Sequence, residues 1–196
     1  MMLRTTLIAA VAALATAWTA GAQDSASESR VPRSATIARD INGFQLGADI
    51  EKVRARTAVT HIAGETYSAI ADGIEYEFGL TPLGRVFRIR SVQPLGRFHP
   101  DAEFANSLAE RLTRKYGTPS TNQLPDGPAF WSLVEPIERP DGQTTPFRTM
   151  SVSAMLVEAE GQIALELFML DFRVLWADQQ TTNAAPSQAA QDRTRF

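Results

Sequence analysis

Cysteine is absent from the 196 residues. That excludes disulfide staples, thiolate metal sites, cysteine nucleophiles and a lipid-accepting cysteine. Histidine is scarce, with His61 and His99 alone. A basic excess is lacking too. Nineteen Lys and Arg against 22 Asp and Glu give a net charge of −3, whereas a nucleic-acid binder carries a positive balance. The uncharged apolar run Leu7–Ala17 is about half the length that a membrane-crossing helix needs. Catalytic signatures are missing as well. The chain has no G-x-S-x-G elbow, no H-E-x-x-H helix, no phosphate-binding glycine loop and no calcium loop.

What is present begins with an export signal. Arg4, the run Leu7–Ala17 and the small residues Ala20-Gly21-Ala22 read as a secretory signal peptide over residues 1–22, cleaved before Gln23. Cleavage removes only Arg4 among the charged residues, moving the net charge from −3 to −4. The expected location is the periplasm, or outside the cell if the chain is secreted, with no membrane span left after cleavage. Residues 23–39 are polar, small and aperiodic, and read as a disordered leader. Residues 177–196, rich in Gln, Ala and Thr, read as a disordered tail. A single domain is expected over 40–176, large enough to be stable on its core alone.

The strongest element in that domain is Asp101–Gly117. Phe104, Ala105, Leu108, Ala109, Leu112 and Tyr116 recur at helical spacing over a face of about 140°. Asp101 is placed to cap the first turn. Gly117 is placed for a left-handed end, and Pro119 stops continuation. A shorter helix is expected after Asp49, with Ile50 and Val53 inward.

Strands surround these helices. Val59–Ile62 and Thr66–Ile70 are short candidates. Ile74–Phe78 and Val86–Val92 alternate strictly around the turn residues Thr81–Gly84. A four-residue loop there sets Glu77 against Arg88 and Glu75 against Arg90. One face is then apolar and the other carries opposed charges. Residues 118–128 and 135–146 read as loops, and Ala129–Val134 between them as a strand. Met150–Val157 and Gln162–Phe172 form a hairpin, whose second arm is apolar apart from Glu166 and is expected to be central. The fold class is α+β: an antiparallel meandering sheet of six to seven strands with two helices on one face. The two halves read as loose copies, each a helix followed by a meander.

The phrases Gly43-Phe44-Gln45-Leu46-Gly47 and Leu112–Pro119, with this layout, resemble two kinds of exported bacterial protein. One is the β-lactamase-inhibitor-protein-like arrangement. The other is the small outer-membrane assembly lipoproteins of the SmpA/OmlA kind. The resemblance implies binding to other proteins rather than catalysis. The chain departs from both in lacking cysteine, and no functional residue is carried over.

No catalytic, cofactor-binding or metal-binding residue is assigned, and no cofactor is expected. The carboxylate pairs Asp72 and Glu75, and Glu158 and Glu160, flank turns. Of the neighbours Phe130 and Trp131, one is expected in the core and the other exposed or covered by residues 135–146. Trp176 is expected to seal a core edge. The functional expectation is a non-catalytic module binding another envelope protein or a peptide. One alternative is a hydrolase that brings together His61, His99, Asp72 and Glu75. The other is a carrier of a small apolar ligand or lipid.

Overall fold

Residues 37–138, 142–159 and 161–193 are described by the structure, a computed structural model; side chains are described for these residues up to Thr182, except Ala159. Residues 1–22, read as a signal peptide, and residues 23–36 lie outside them. In chain order the elements are β1 (Asp40–Ile41), β2 (Phe44–Gln45), α1 (Ile50–Arg54), β3 (Val59–Ala63), β4 (Thr66–Ala71), β5 (Ile74–Leu80) and β6 (Val86–Gly96). Then come α2 (Ala102–Tyr116), β7 (Thr121–Asn122), β8 (Ala129–Glu138), β9 (Thr144–Ala159), β10 (Gln162–Asp171) and α3 (Phe172–Arg193).

Strands β3 to β10 form one antiparallel sheet in the order β3-β4-β5-β6-β10-β9-β8-β7. The chain thus runs helix then four strands, twice, and the last strands of the two runs, β6 and β10, pair at the centre. The architecture is α+β, as expected. The strand number is not: the eight include β7, two residues long in a stretch read as loop. A further hairpin, β1–β2, turns at Asn42 (φ 50°) and Gly43 (φ 80°), which suits the right-handed twist of paired strands.

Directly paired residues of antiparallel strands point to the same face. One row therefore runs His61, Tyr67, Phe78, Ile89, Met169, Val152 and Trp131 from β3 to β8. Phe78, Ile89, Met169, Val152 and Trp131 are buried, and α1 (Ile50, Val53) and α2 (Leu108, Leu112, Tyr116) join them in one core cluster. Burying Leu108 and Leu112 contributes about 1.5–3 kcal/mol each.

The caps of α2 follow local chemistry. Asp101 Oδ1 accepts from Phe104 N–H at 2.8 Å. Gly117 differs from expectation: at φ 84°, ψ −171° it lies outside the left-handed helical region, in one that glycine alone adopts readily. Its carbonyl is thereby aimed at Trp131 Nε1, 2.6 Å away. Gly117→Ala is expected to lower the unfolding free energy by about 1–3 kcal/mol, measured by urea denaturation. Tyr116 ends the helix buried, its hydroxyl donating to Asp40 O at 3.2 Å. Burial first, and then the nearby Asp40 charge, push its phenol far above the ordinary value.

The β5–β6 register is shifted by two residues from expectation. Glu77 lies opposite Arg90, Tyr76 opposite Ser91 and Phe78 opposite Ile89. One residue of the shift comes from the turn, where Thr81 N–H bonds Arg85 O at 2.8 Å. The other is Phe87, left over between the pairs Leu80–Val86 and Gly79–Arg88 as a bulge. From Arg88 onward the shift is even and leaves the side chains on their expected faces; the bulge turns over the two residues before it, so that Val86 enters the core and Phe87 lies beside Arg88 over Gly79.

Residues 135–146, read as a loop, are largely hairpin. Strand β8 continues to Glu138 and β9 starts at Thr144, with Pro136 opposite Pro146. These arms run beyond the reach of β7 and β10. Among the described residues each has one side with no strand paired to it, toward which a proline's missing donor does no harm.

Both ends of the body extend beyond 40–176. Ile37 is in the core, and Arg39 pairs with the fully buried Asp171 at 2.7 Å. At the other end α3 runs on past Trp176. Asp178, 2% exposed, accepts from Arg85 and from the Thr81 hydroxyl. Among the described residues no helix is long and apolar enough to cross a membrane.

Candidate functional site

The face of the sheet opposite α1 and α2 carries the side chains that the core does not use. Its central row runs Thr60, Ser68, Glu77, Arg90, Phe168, Ser153, Phe130 and Thr121 across all eight strands. Neighbouring rows add Glu75, Val92, Glu166 and Met155 on one side, and Arg88, Leu170, Ser151 and Ser132 on the other. The face is therefore divided. The half built on β5 and β6 is charged, and the half built on β8, β9 and β10 is apolar with serines between.

The charged half is a ladder of ion pairs. Arg88 donates to Glu77 Oε1 at 2.8 Å and to Thr66 Oγ1 at 3.3 Å. Arg90 donates to Glu166 Oε2 at 2.5 Å, across the central β6–β10 seam. These side chains are only 17–25% exposed, so water screens them less than it screens pairs on an open surface. Arg88 lies over Gly79, where a Cβ would stand 2.9 Å from its Nε. Glycine at that position is what lets the guanidinium lie flat against the strand.

The apolar half consists of Phe130, Met155, Phe168 and Leu170. All four are partly exposed, and none belongs to the core cluster or packs against it. Trp131 and Phe130 thus divide as alternation requires. Trp131 enters the core at 2% exposure, and Phe130 stands on the second face.

A second group of charges closes the end of the sheet where β10 passes into α3. Asp171 accepts from Arg39 at 2.7 Å and from Arg173 at 2.9 and 3.0 Å, and Glu135 accepts from Thr149 at 2.6 Å. Beside it Phe147, Phe172 and Trp176 pack as a ring cluster, with centroids 4.9–5.9 Å apart. Trp176 thus packs on the exposed Phe147 of the hairpin and on Phe172 of its own helix. These contacts join the extended β8–β9 arms to α3 and explain why residue 176 does not end the body.

The dispersed residues of the hydrolase expectation are not brought together. His61 is exposed on β3, bonded to Gly64 O at 2.7 Å and packed edge-on against Tyr67. Asp72 lies five residues past Tyr67 along the same hairpin, about 17 Å away at strand rise. Glu75 is opposite Val92, and His99 precedes α2 on the surface. No hydrogen bond or ion pair joins any two of the four among the described residues. Nor do the described residues contain a group of three His, Cys, Asp or Glu placed to hold a metal ion.

Comparison of the chain with protein-family models, curated proteins and solved structures returns no match. The reading of this face therefore rests on its own chemistry.

Sequence reasoning found Glu75, Glu77, Arg88 and Arg90 as one polar face. It missed Phe168, Leu170 and Met155, because β10 reads as apolar on both sides. The one signal available was Glu166, a lone acid in an apolar strand, which turns out to mark the second face.

Proposed function

We propose that this chain is an exported, non-catalytic module that binds another envelope protein or a peptide on the second face of its sheet. One observation carries the reading: Phe130, Met155, Phe168 and Leu170 stand partly exposed outside the core, beside the Arg88–Glu77 and Arg90–Glu166 pairs. Aromatic and methionine side chains next to arginine are the composition enriched at protein interfaces. Pairing Arg and Glu within the face also leaves it with little net charge to repel a partner. Export rests on Arg4, Leu7–Ala17 and Ala20-Gly21-Ala22, and predicts a mature chain starting at Gln23. The helix-then-four-strand order, twice over, is the ground on which the inhibitor-protein-like resemblance is kept within this proposal.

A photo-reactive phenylalanine analogue at position 168 tests it in the source cell. A discrete adduct is expected there, and none from the same analogue at Glu110 on the outer side of α2. Phe168→Ala is expected to weaken capture of that partner by about 2 kcal/mol, roughly 30-fold. Equal labelling from both positions, or none from either, rejects the proposal.

A further inference from the structure

We infer that β3 is a self-association edge, at which two copies pair their Val59–His61 segments antiparallel about a two-fold axis at Thr60. This is independent of the second-face reading. Strand β3 is terminal in the sheet, so among the described residues no strand pairs with one side of its backbone. Which groups lie on that side follows from the hydrogen-bond alternation. Leu80 N–H bonds Glu65 O at 2.8 Å on the β4–β5 register. Hydrogen-bonded pairs alternate with open ones. The backbone groups of Thr66, Ser68 and Ile70 therefore point to β3, and those of Thr60, opposite Ser68, point back to β4. The Thr57 hydroxyl covering Ile70 O at 2.9 Å fits that direction. The N–H and C=O groups of Val59 and His61 are left pointing away from the sheet.

Sheet edges are normally guarded by charge, proline or shortness. The opposite edge has all three. Strand β7 is two residues long, with Pro119 and Pro125 about it. Beyond it the free side of β8 carries Glu135, Pro136 and Glu138. Strand β3 reads Val-Thr-His-Ile-Ala, with no carboxylate, lysine, arginine or proline. Beside it Ile62 and Ile70 are 49% and 69% exposed, on β3 and β4. A bulge at Ile62 is its one guard, confining the pairable stretch to Val59–His61.

Charge selects the occupant. The strand is entered past Arg56 and left through Glu65, Arg54 being paired with Glu51 at 2.5 Å. Glu65 is exposed, and its carboxylate has no partner among the described residues. Antiparallel pairing about Thr60 brings the Arg56 end of each copy to the Glu65 end of the other, where Arg56, exposed while it lies over the Phe44 ring and donates to Asn42 O at 3.2 Å, has its remaining donors to offer. A parallel pairing would oppose Arg56 to Arg56 and Glu65 to Glu65. The self-pairing also carries the second copy's Ile62 toward Ala58 and Ile70, withdrawing exposed aliphatic surface from water. It makes about four intermolecular backbone bonds, as alternation over three residues allows. The assembly is then a weak dimer. Because the contact is isologous and the other edge is guarded, it closes instead of growing into a fibre.

Sedimentation of the full chain over a concentration series tests this. A monomer–dimer equilibrium is expected, with the Val59 and His61 amides exchanging more slowly as the dimer fills. His61→Pro removes the outward N–H, and with it the ring's contacts to Gly64 O and Tyr67, which lie within the chain. It is expected to raise the dissociation constant about 10–100-fold, two bonds being lost per dimer. Ile62→Lys should act in the same direction, and it reads the edge even if the proline variant does not fold. Glu65→Arg should weaken the dimer, and adding Arg56→Glu to it should restore it, a rescue that pairing with a foreign strand does not predict. A chain that stays monomeric overturns the inference. So does a dimer that survives Ile62→Lys, or protection confined to other residues, or an extended peptide captured at β3 by a chain that does not self-associate.

Discussion

Trp131→Ala is expected to lower the unfolding free energy by about 3–5 kcal/mol, a large part of the whole stability of an ordinary domain. Trp131 is 2% exposed on β8, its ring centroid 5.7 Å from that of Tyr116, and its Nε1–H donates to Gly117 O at 2.6 Å. It therefore touches both the core-facing side of the sheet and the end of α2. Truncation removes the packing volume and strands the Gly117 carbonyl, held in a glycine-only conformation, without its donor. The two losses can be separated. Trp131→Phe keeps most of the apolar area but leaves the carbonyl unpaired, and should cost about 1–3 kcal/mol. Urea denaturation followed by circular dichroism measures both. If Trp131→Ala cost less than Trp131→Phe, the placement of this side chain in the core would be wrong.

Asp178→Ala is expected to cost about 2–3 kcal/mol, toward the lower end for breaking a buried ion pair because Arg85 is 38% exposed and can return to water. The carboxylate accepts from Arg85 Nε at 2.9 Å and also from Arg85 Nη2 and the Thr81 hydroxyl, the last fully buried. It ties α3 to the β5–β6 turn, across more than ninety residues of chain. The same pairing makes stability depend on pH. The Arg85 hydrogen bond, helped by Thr81 and by the Arg85 charge and opposed by burial, holds the Asp178 carboxyl below its ordinary value. The folded state then binds fewer protons than the unfolded one as this group titrates. Its contribution is complete above about pH 4, the unfolded carboxyl range, and is lost as pH falls through the lower folded value. Asp178→Asn should remove that part of the acid sensitivity while keeping the side-chain shape. Denaturation midpoints taken between neutral and strongly acidic pH, in both chains, make the comparison. Parallel pH profiles would show that the carboxylate is not charged and paired as described.

Acid should also loosen the start of the body. Burial raises the Asp40 carboxyl, but the Lys115 hydrogen bond, the Gly43 N–H and the Lys115 charge outweigh it, so the net direction is downward. This group ties β1 to the last turn of α2, and it is weakened in the same acid range as Asp178.

Helix α2 was legible because its causes are local: a periodic apolar face, an aspartate at the start and a glycine at the end. The β5–β6 faces were legible for a similar reason, since strict alternation survives an even slip everywhere but at Val86 and Phe87, which the bulge turns over. The register itself was not, because it turns on one extra residue in the turn and one in the bulge. The Arg90–Glu166 and Arg85–Asp178 pairs were invisible, as their partners lie 76 and 93 residues apart. Residues 177–182 show no apolar periodicity, so nothing local announced that one acid among them is buried. The second face was half legible. Its charged side alternates in β5 and β6, but its apolar side lies on β9 and β10, whose opposite face is apolar as well.

By itself the sequence determined the fold class, the main helix with its ends, and the two-faced character of the strands, all set by interactions within a few residues. Tertiary structure alone decided which strands meet at the centre, where the body stops, which charges find partners and which strand is left at an unguarded edge. Those outcomes depend on contacts whose energy appears only after distant segments have been brought together, and no local pattern encodes them.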